Sequence, residues 1–148
     1  MLKKIYFFAF CFFSIIAVRA QNPLVLKFLV SDATNLKIRL NTQGTYSYSY
    51  VKTNNSAVTG SGTGNTGLTE VSVPSTGTYN ISITPTGTFR LNSGIDSDKV
   101  VELTQWGQIT WNTNLSGMFS GLNLDDVGLI YFKYVKRSIF IHTFKYFS

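Results

Sequence analysis

The chain has 148 residues, a formal net charge of +6, 44% hydrophobic residues and only 14% charged ones, which leaves room for one domain of ordinary size behind a short leader. The positive excess does not mark a nucleic-acid binder. Lys3, Lys4 and Arg19 lie at one end and Lys133, Lys136, Arg137 and Lys145 at the other, while residues 21–126 hold six bases against seven acids, with no cluster of cations to displace counterions from phosphate. The single Cys, Cys11, lies near the start, so a disulfide framework, a thiolate metal site and a Cys nucleophile are excluded from the body.

Residues 1–20 read as a cleavable signal peptide. Met1-Leu2-Lys3-Lys4 is a basic start, Ile5 to Val18 an apolar helical run, and Val18-Arg19-Ala20 a cleavage site with Ala last. The run is shorter than the roughly 20 residues a membrane span needs, and the lysines before it direct the remainder out of the cytoplasm. The expectation is export through the Sec pathway to the cell surface or the medium, with membrane contact only through the leader before cleavage. Cys11 sits mid-run behind bulky Phe8 and Phe10, unlike a lipoprotein cysteine.

From Leu24 the pattern turns to period two. Leu24–Val30 is apolar and β-branched, and Leu36, Ile38 and Leu40 alternate with Lys37 and Arg39, as in a half-buried strand. Tyr46, Tyr48 and Tyr50 alternate with serines. Residues 53–67, mostly Thr, Asn, Ser and Gly, read as a long flexible turn. Strand pattern resumes over Leu68–Val73 and stops at Pro74. It returns over Gly77–Ile83 and continues at Phe89 and Leu91 beyond the Pro85-Thr86-Gly87 turn. Short strands every 8–12 residues, with no helix-period segment, predict an all-β fold, an antiparallel sandwich over residues 21–93. Gly77-Thr78-Tyr79-Asn80-Ile81-Ser82-Ile83 resembles the penultimate strand of PKD-like and other immunoglobulin-like domains. The resemblance implies that Tyr79 is a core or corner residue.

The most specific text follows. Gln105-Trp106-Gly107 and Trp111 precede Leu115, Met118, Phe119, Gly121, Asn123 and Leu124. This resembles the BspA-like leucine-rich repeat surface proteins of Bacteroidetes, in which an N-terminal β domain ends in a Gln-Trp-Gly to Trp segment. The first repeat, with a Met-Phe-x-Gly to Asn-Leu core, then begins. The resemblance implies that residues 94–124 are a cap and a first-repeat fragment with a short helical turn near 113–120. It also implies a surface protein that binds host or cell-surface proteins or glycans. No Trp-Gly-Asp-Gly turn is present, Gly121-Leu122-Asn123 falls about one residue short of the family spacing, and no second repeat appears, although about three are needed for a stable stack. Residues 125–148 form a basic, aromatic tail. Its Phe, Tyr, Ile and Lys bias is what AT-rich DNA encodes out of frame, so a frameshifted or truncated, nonfunctional product is one reading of the chain.

No catalytic constellation emerges. His142 is the only His, Gly60-Ser61-Gly62-Thr63-Gly64 lacks the Lys and helix of a phosphate loop, and no two of the scattered acids are singled out as a catalytic pair. A non-catalytic interaction or adhesion module with no cofactor is the expected function, and a carbohydrate-binding sandwich the alternative. Three candidate sites remain. Asp96 and Asp98 are spaced to offer oxygens to Ca²⁺ but lack a third carboxylate nearby. Tyr46, Tyr48 and Tyr50 share one face and would stack on sugars if exposed. Trp106 and Trp111 are the other aromatic pair, placed on opposite faces by strict alternation unless Gly107 permits a bulge.

Overall fold

A computed structural model describes residues 22–116 and Met118. The expected signal helix, residues 1–20, and the tail, residues 125–148, lie outside the described residues, as do Phe119, Gly121, Asn123, Leu124 and His142.

The protein is all-β and mostly antiparallel. Its strands are β1 (Leu24–Val30), β2 (Lys37–Lys52), β3 (Asn55–Ser72), β4 (Gly77–Pro85), β5 (Arg90–Leu91) and β6 (Val100–Gln105), with one 3-10 turn at Ser97–Lys99 before β6. The order across the sheet is β3-β2-β4-β1-β6, and β5 pairs with β2. β1 is an interior strand, hydrogen-bonded to β4 on one side and to the edge strand β6 on the other. That position explains its composition. Leu24, Leu26, Phe28 and Val30 point into the core, while Val25, Lys27 and Leu29 face outward.

β2 and β3 form one long hairpin. Residues 37–42 of β2 pair with 67–72 of β3, the register slips between Thr42 and Tyr46, and pairing resumes to the turn at Thr53–Asn54. β4 runs along only the second half of β2, whereas β5 meets Thr42 and Gln43. Ile38 and Leu40 from the first half nevertheless share a core with Phe28 of β1 and Ile81 of β4. A bulge bends and twists the strand that carries it, and the slip at 43–45 lets both halves of the hairpin cover the same core.

The expected flexible turn over 53–67 is instead the first two-thirds of β3. Its inward positions opposite Tyr48 and Tyr50 are Gly62 and Gly60. A Cβ on either glycine would lie 2.5 Å from the facing tyrosine ring. The rings therefore lie across the glycine backbone and supply the apolar contact that β3 lacks, as aromatics facing glycines do in other sheets.

The fold also extends past residue 93, the expected end of the β domain. Asn92 and Asp96 donate backbone N–H bonds to the carbonyls of Asn41 and Arg39. The chain then crosses to β1, where Val100 pairs with Phe28. Leu115 and Met118 are buried in the same core. Where a helical turn is expected near 113–120, the described residues hold no helix but a single tight turn, in which Met118 N–H donates to Leu115 O at 3.2 Å.

Candidate functional site

Asp96 is the most buried charge of the described residues, at 2% exposure. Oδ1 accepts from Arg39 Nε at 2.7 Å, and Oδ2 accepts from the Arg39 backbone N–H at 3.1 Å and from Lys99 Nζ at 2.9 Å. Burial alone would push this carboxyl up. The hydrogen bonds from Lys99 and Arg39 outweigh it and hold the group below its ordinary range. Asp96 thus clamps the crossing segment to β2, and its oxygens are already committed to cations of the chain. Asp98 is exposed, and no three His, Cys, Asp or Glu side chains among the described residues gather as a metal site would require. The Asp96 and Asp98 pair is therefore an ion-pair anchor with a solvated neighbour rather than a Ca²⁺ loop.

The three tyrosines do share one face, and that face is the packed one. Tyr46 is 1% exposed and stands edge-on to Phe89, ring centroids 5.9 Å apart. Its hydroxyl is buried beside the Thr69 side chain without a well-formed hydrogen bond among the described residues, and burial pushes its pKa up while the Thr69 side chain draws it back only in part. Tyr50 is half-buried and meets Tyr79 edge-on at 5.7 Å, and Tyr48 is half-buried over Gly62. Tyr46 is thereby removed from any stacking platform, because its ring has no free face. Tyr79 is fully buried, and its hydroxyl donates to the carbonyl of Ser75 at 2.7 Å.

The tryptophans come together, against the expectation from strict alternation. β6 ends at Gln105, and Gly107 takes φ +72°, where a Cβ would lie 2.6 Å from the Asn22 carbonyl oxygen. The chain turns there, so alternation no longer applies. Trp106 and Trp111 meet nearly edge to face at 6.1 Å, and Trp111 continues onto Phe89 at 6.2 Å. Phe89 is bracketed by Thr110 and Asn112, since its N–H donates to Thr110 O and its carbonyl accepts from Asn112 N–H. The two indoles are half-buried and perpendicular rather than coplanar. They anchor the segment after β6 to the core and offer no flat sugar-sized surface.

Sequence reasoning missed the opposite face of the same strands. With Tyr48, Tyr50, Tyr79, Ile81 and Ile83 turned inward, the alternate residues face out. Ser61, Ser49 and Ser82 form one cross-strand row, and Thr59, Val51 and Asn80 the next. They floor a shallow trough of about 350 Å³. Asn80 stands between Val51 of β2 and Lys27 of β1, and Lys27 is paired with Glu102. Asn80 Oδ1 is buried without a hydrogen-bond partner among the described residues. The signal was legible in principle, as Ser and Thr at every second position of 45–49 and 59–63, and Asn80 and Ser82 in β4.

No protein-family model, curated protein or solved structure matches the chain.

Proposed function

We propose that the protein is a non-catalytic interaction or adhesion module, exported by its leader to the cell surface or the medium, with an immunoglobulin-like or PKD-like sandwich as its body. The observation that carries this reading is the Met1–Ala20 leader pattern placed before an all-β body. The chemistry of that body supports it. Glu70 and Glu102 are paired with Lys37 and Lys27, Asp96 with Arg39 and Lys99, and Asp32 accepts from its neighbour Thr34. These carboxylates serve the fold and none faces another across a cleft. The sandwich reading is supported by the common core beneath β1, β4, β6 and the first half of the β2–β3 hairpin. It is supported further by the Tyr79 hydroxyl bonded back to Ser75, the geometry of a tyrosine corner. The proposed kinship to BspA-like surface proteins is supported by the Trp106 to Leu124 text, of which Leu115 and Met118 are buried in the core.

Expression of the full chain in a Gram-negative host tests the reading. The expected result is a product beginning at Gln21, accessible to surface labelling or present in the medium, that adheres to animal cells or their matrix. An uncleaved cytoplasmic product would contradict export. A cleaved product without a cooperative thermal melt would favour the truncated-fragment reading instead.

A further inference from the structure

We propose that the protein pairs with a second copy of itself through the free edge of β3 at residues 57–63, the two strands joining antiparallel about a two-fold axis at Gly60. β3 ends the sheet, and among the described residues no strand pairs with its other side. Which peptide groups face that side follows from the ladder. Thr53 donates its N–H to Thr78 O, and residues 46–52 of β2 keep the same register against β4. Successive residues of an antiparallel strand bond to alternate sides. Ser47, Ser49 and Val51 therefore bond to β4, and Tyr48 and Tyr50 bond to β3. Their partners there, Gly62 and Gly60, direct their peptide groups to β2. Thr59 and Ser61 turn theirs to the free edge, and both residues are exposed. An edge that offers N–H and C=O at every second residue fits one kind of occupant, another extended strand.

The choice of a second copy rests on charge and on fit. Sheet edges are ordinarily blunted by charge, brevity or bulges, and the other edges of this fold are. β6 has six residues and two register shifts against β1, and its Glu102 is paired with Lys27. The far half of β3 carries the exposed Glu70, paired with Lys37. Residues 53–69 hold no charge and no proline, so two copies of this stretch meet without repulsion. Their side chains also match. With Gly60 on the axis, Thr59 stands opposite Ser61 of the second copy, a pair whose hydroxyls bond across strands, and Val58 stands opposite Gly62. On the inner side, the phenol ends of Tyr48 and Tyr50 reach over Gly62 and Gly60, and both rings are half-buried. Val58 of the second copy lies beside the Tyr48 ring and covers more of it. Register shifts on both sides of 59–62 bound the ladder. The contact is therefore short and the pair weak, with a dissociation constant of about 10–500 μM. On the reading of the protein as an adhesion module, pairing doubles the binding surface and raises avidity.

Sedimentation of the purified full-chain product from about 5 μM to about 0.5 mM tests the pairing by mass action, with hydrogen exchange at both ends of the range. The expected result is a monomer that becomes a dimer as concentration rises. The Thr59 and Ser61 amides should be protected only at the high end, and those of Gly60 and Gly62 throughout. The double variant Thr59→Lys/Ser61→Lys sets like charges directly opposite each other and should weaken pairing about tenfold or more. Thr59→Glu/Ser61→Glu should do the same, and an equimolar mixture of the two should pair again. Thr59→Pro removes an N–H that β2 does not use, and it should also weaken pairing. Val101→Lys, on the opposite edge strand, should leave pairing unchanged. Thermal melts establish which variants are folded. A product that stays monomeric to the upper limit would overturn the proposal, as would a dimer that survives the folded edge variants or is lost in Val101→Lys. Protection of the Thr59 and Ser61 amides in a monomer would overturn it too, because another segment would then occupy the edge.

Discussion

The two halves of the β2–β3 hairpin solve the same packing problem with different residues. In the half at 37–42 and 67–72, Ile38, Leu40 and Val71 each present their own apolar side chain to the core. In the half at 46–52 and 55–65, β2 supplies tyrosines and β3 little beyond Val58 and backbone, with Tyr48 and Tyr50 laid over Gly62 and Gly60. The first half is stabilised by burial on both strands, and the second by one strand covering the other. A strand can therefore be built from residues of low β propensity when its neighbour carries the apolar area.

That contrast can be broken by substitution, most severely at the aliphatic half. Leu40→Ala removes a fully buried side chain and should cost about 2–5 kcal/mol, read as a large drop in the denaturation midpoint. Asp96→Ala, which leaves Lys99 and the crossing segment without their anchor, should cost about 1–3 kcal/mol through its lost charge-assisted hydrogen bonds. Its pH dependence has a definite sign. The folded pKa of Asp96 is lowered, so its contribution is fully present above the ordinary value of 3.8 and is lost as pH falls through the lower folded value. The stability gap between the parent chain and Asp96→Asn should hold constant from neutral pH down to that ordinary value and shrink below it. A gap that widens on acidification would contradict the ion-pair assignment.

The tyrosine half should respond more weakly. Gly62→Val forces the Tyr48 ring from its seat and should cost roughly 1–2 kcal/mol. The loss should be concentrated in the exchange protection of 55–65, with 67–72 unaffected. Smallest of all, Tyr46→Phe removes a buried hydroxyl that makes no well-formed hydrogen bond among the described residues. It should be neutral or stabilising by about 1 kcal/mol or less. A loss larger than that would reveal a hydrogen bond at this hydroxyl.

The same contrast explains how much was legible in the sequence. Strands whose own residues alternate, such as Leu24–Val30, Leu36–Leu40, Leu68–Val73 and Gly77–Ile83, were readable because each carries its apolar face in its own text. The first part of β3 was not, because apart from Val58 the inward residues that face the tyrosines are glycines, and the covering rings lie some dozen positions earlier, in β2. β6 was missed for a related reason. Only Val100 and Leu103 of its six residues are buried, and its pairing with β1 spans most of the chain. The tyrosines and tryptophans stand out in the sequence, but sequence alone does not say which side of them is wet. Their outward neighbours, the serines, threonines and Asn80, carry no mark of their own until the register aligns them across three strands.

Backbone hydrogen exchange over residues 55–65 of the full chain tests the central claim most directly. The glycine-rich run is here a strand locked under tyrosine rings, and the trough stands on its outer face. Protection of alternate amides through this stretch, approaching that of β4, is the predicted result. Exchange as fast as in an unstructured loop would contradict both the strand and the trough built upon it.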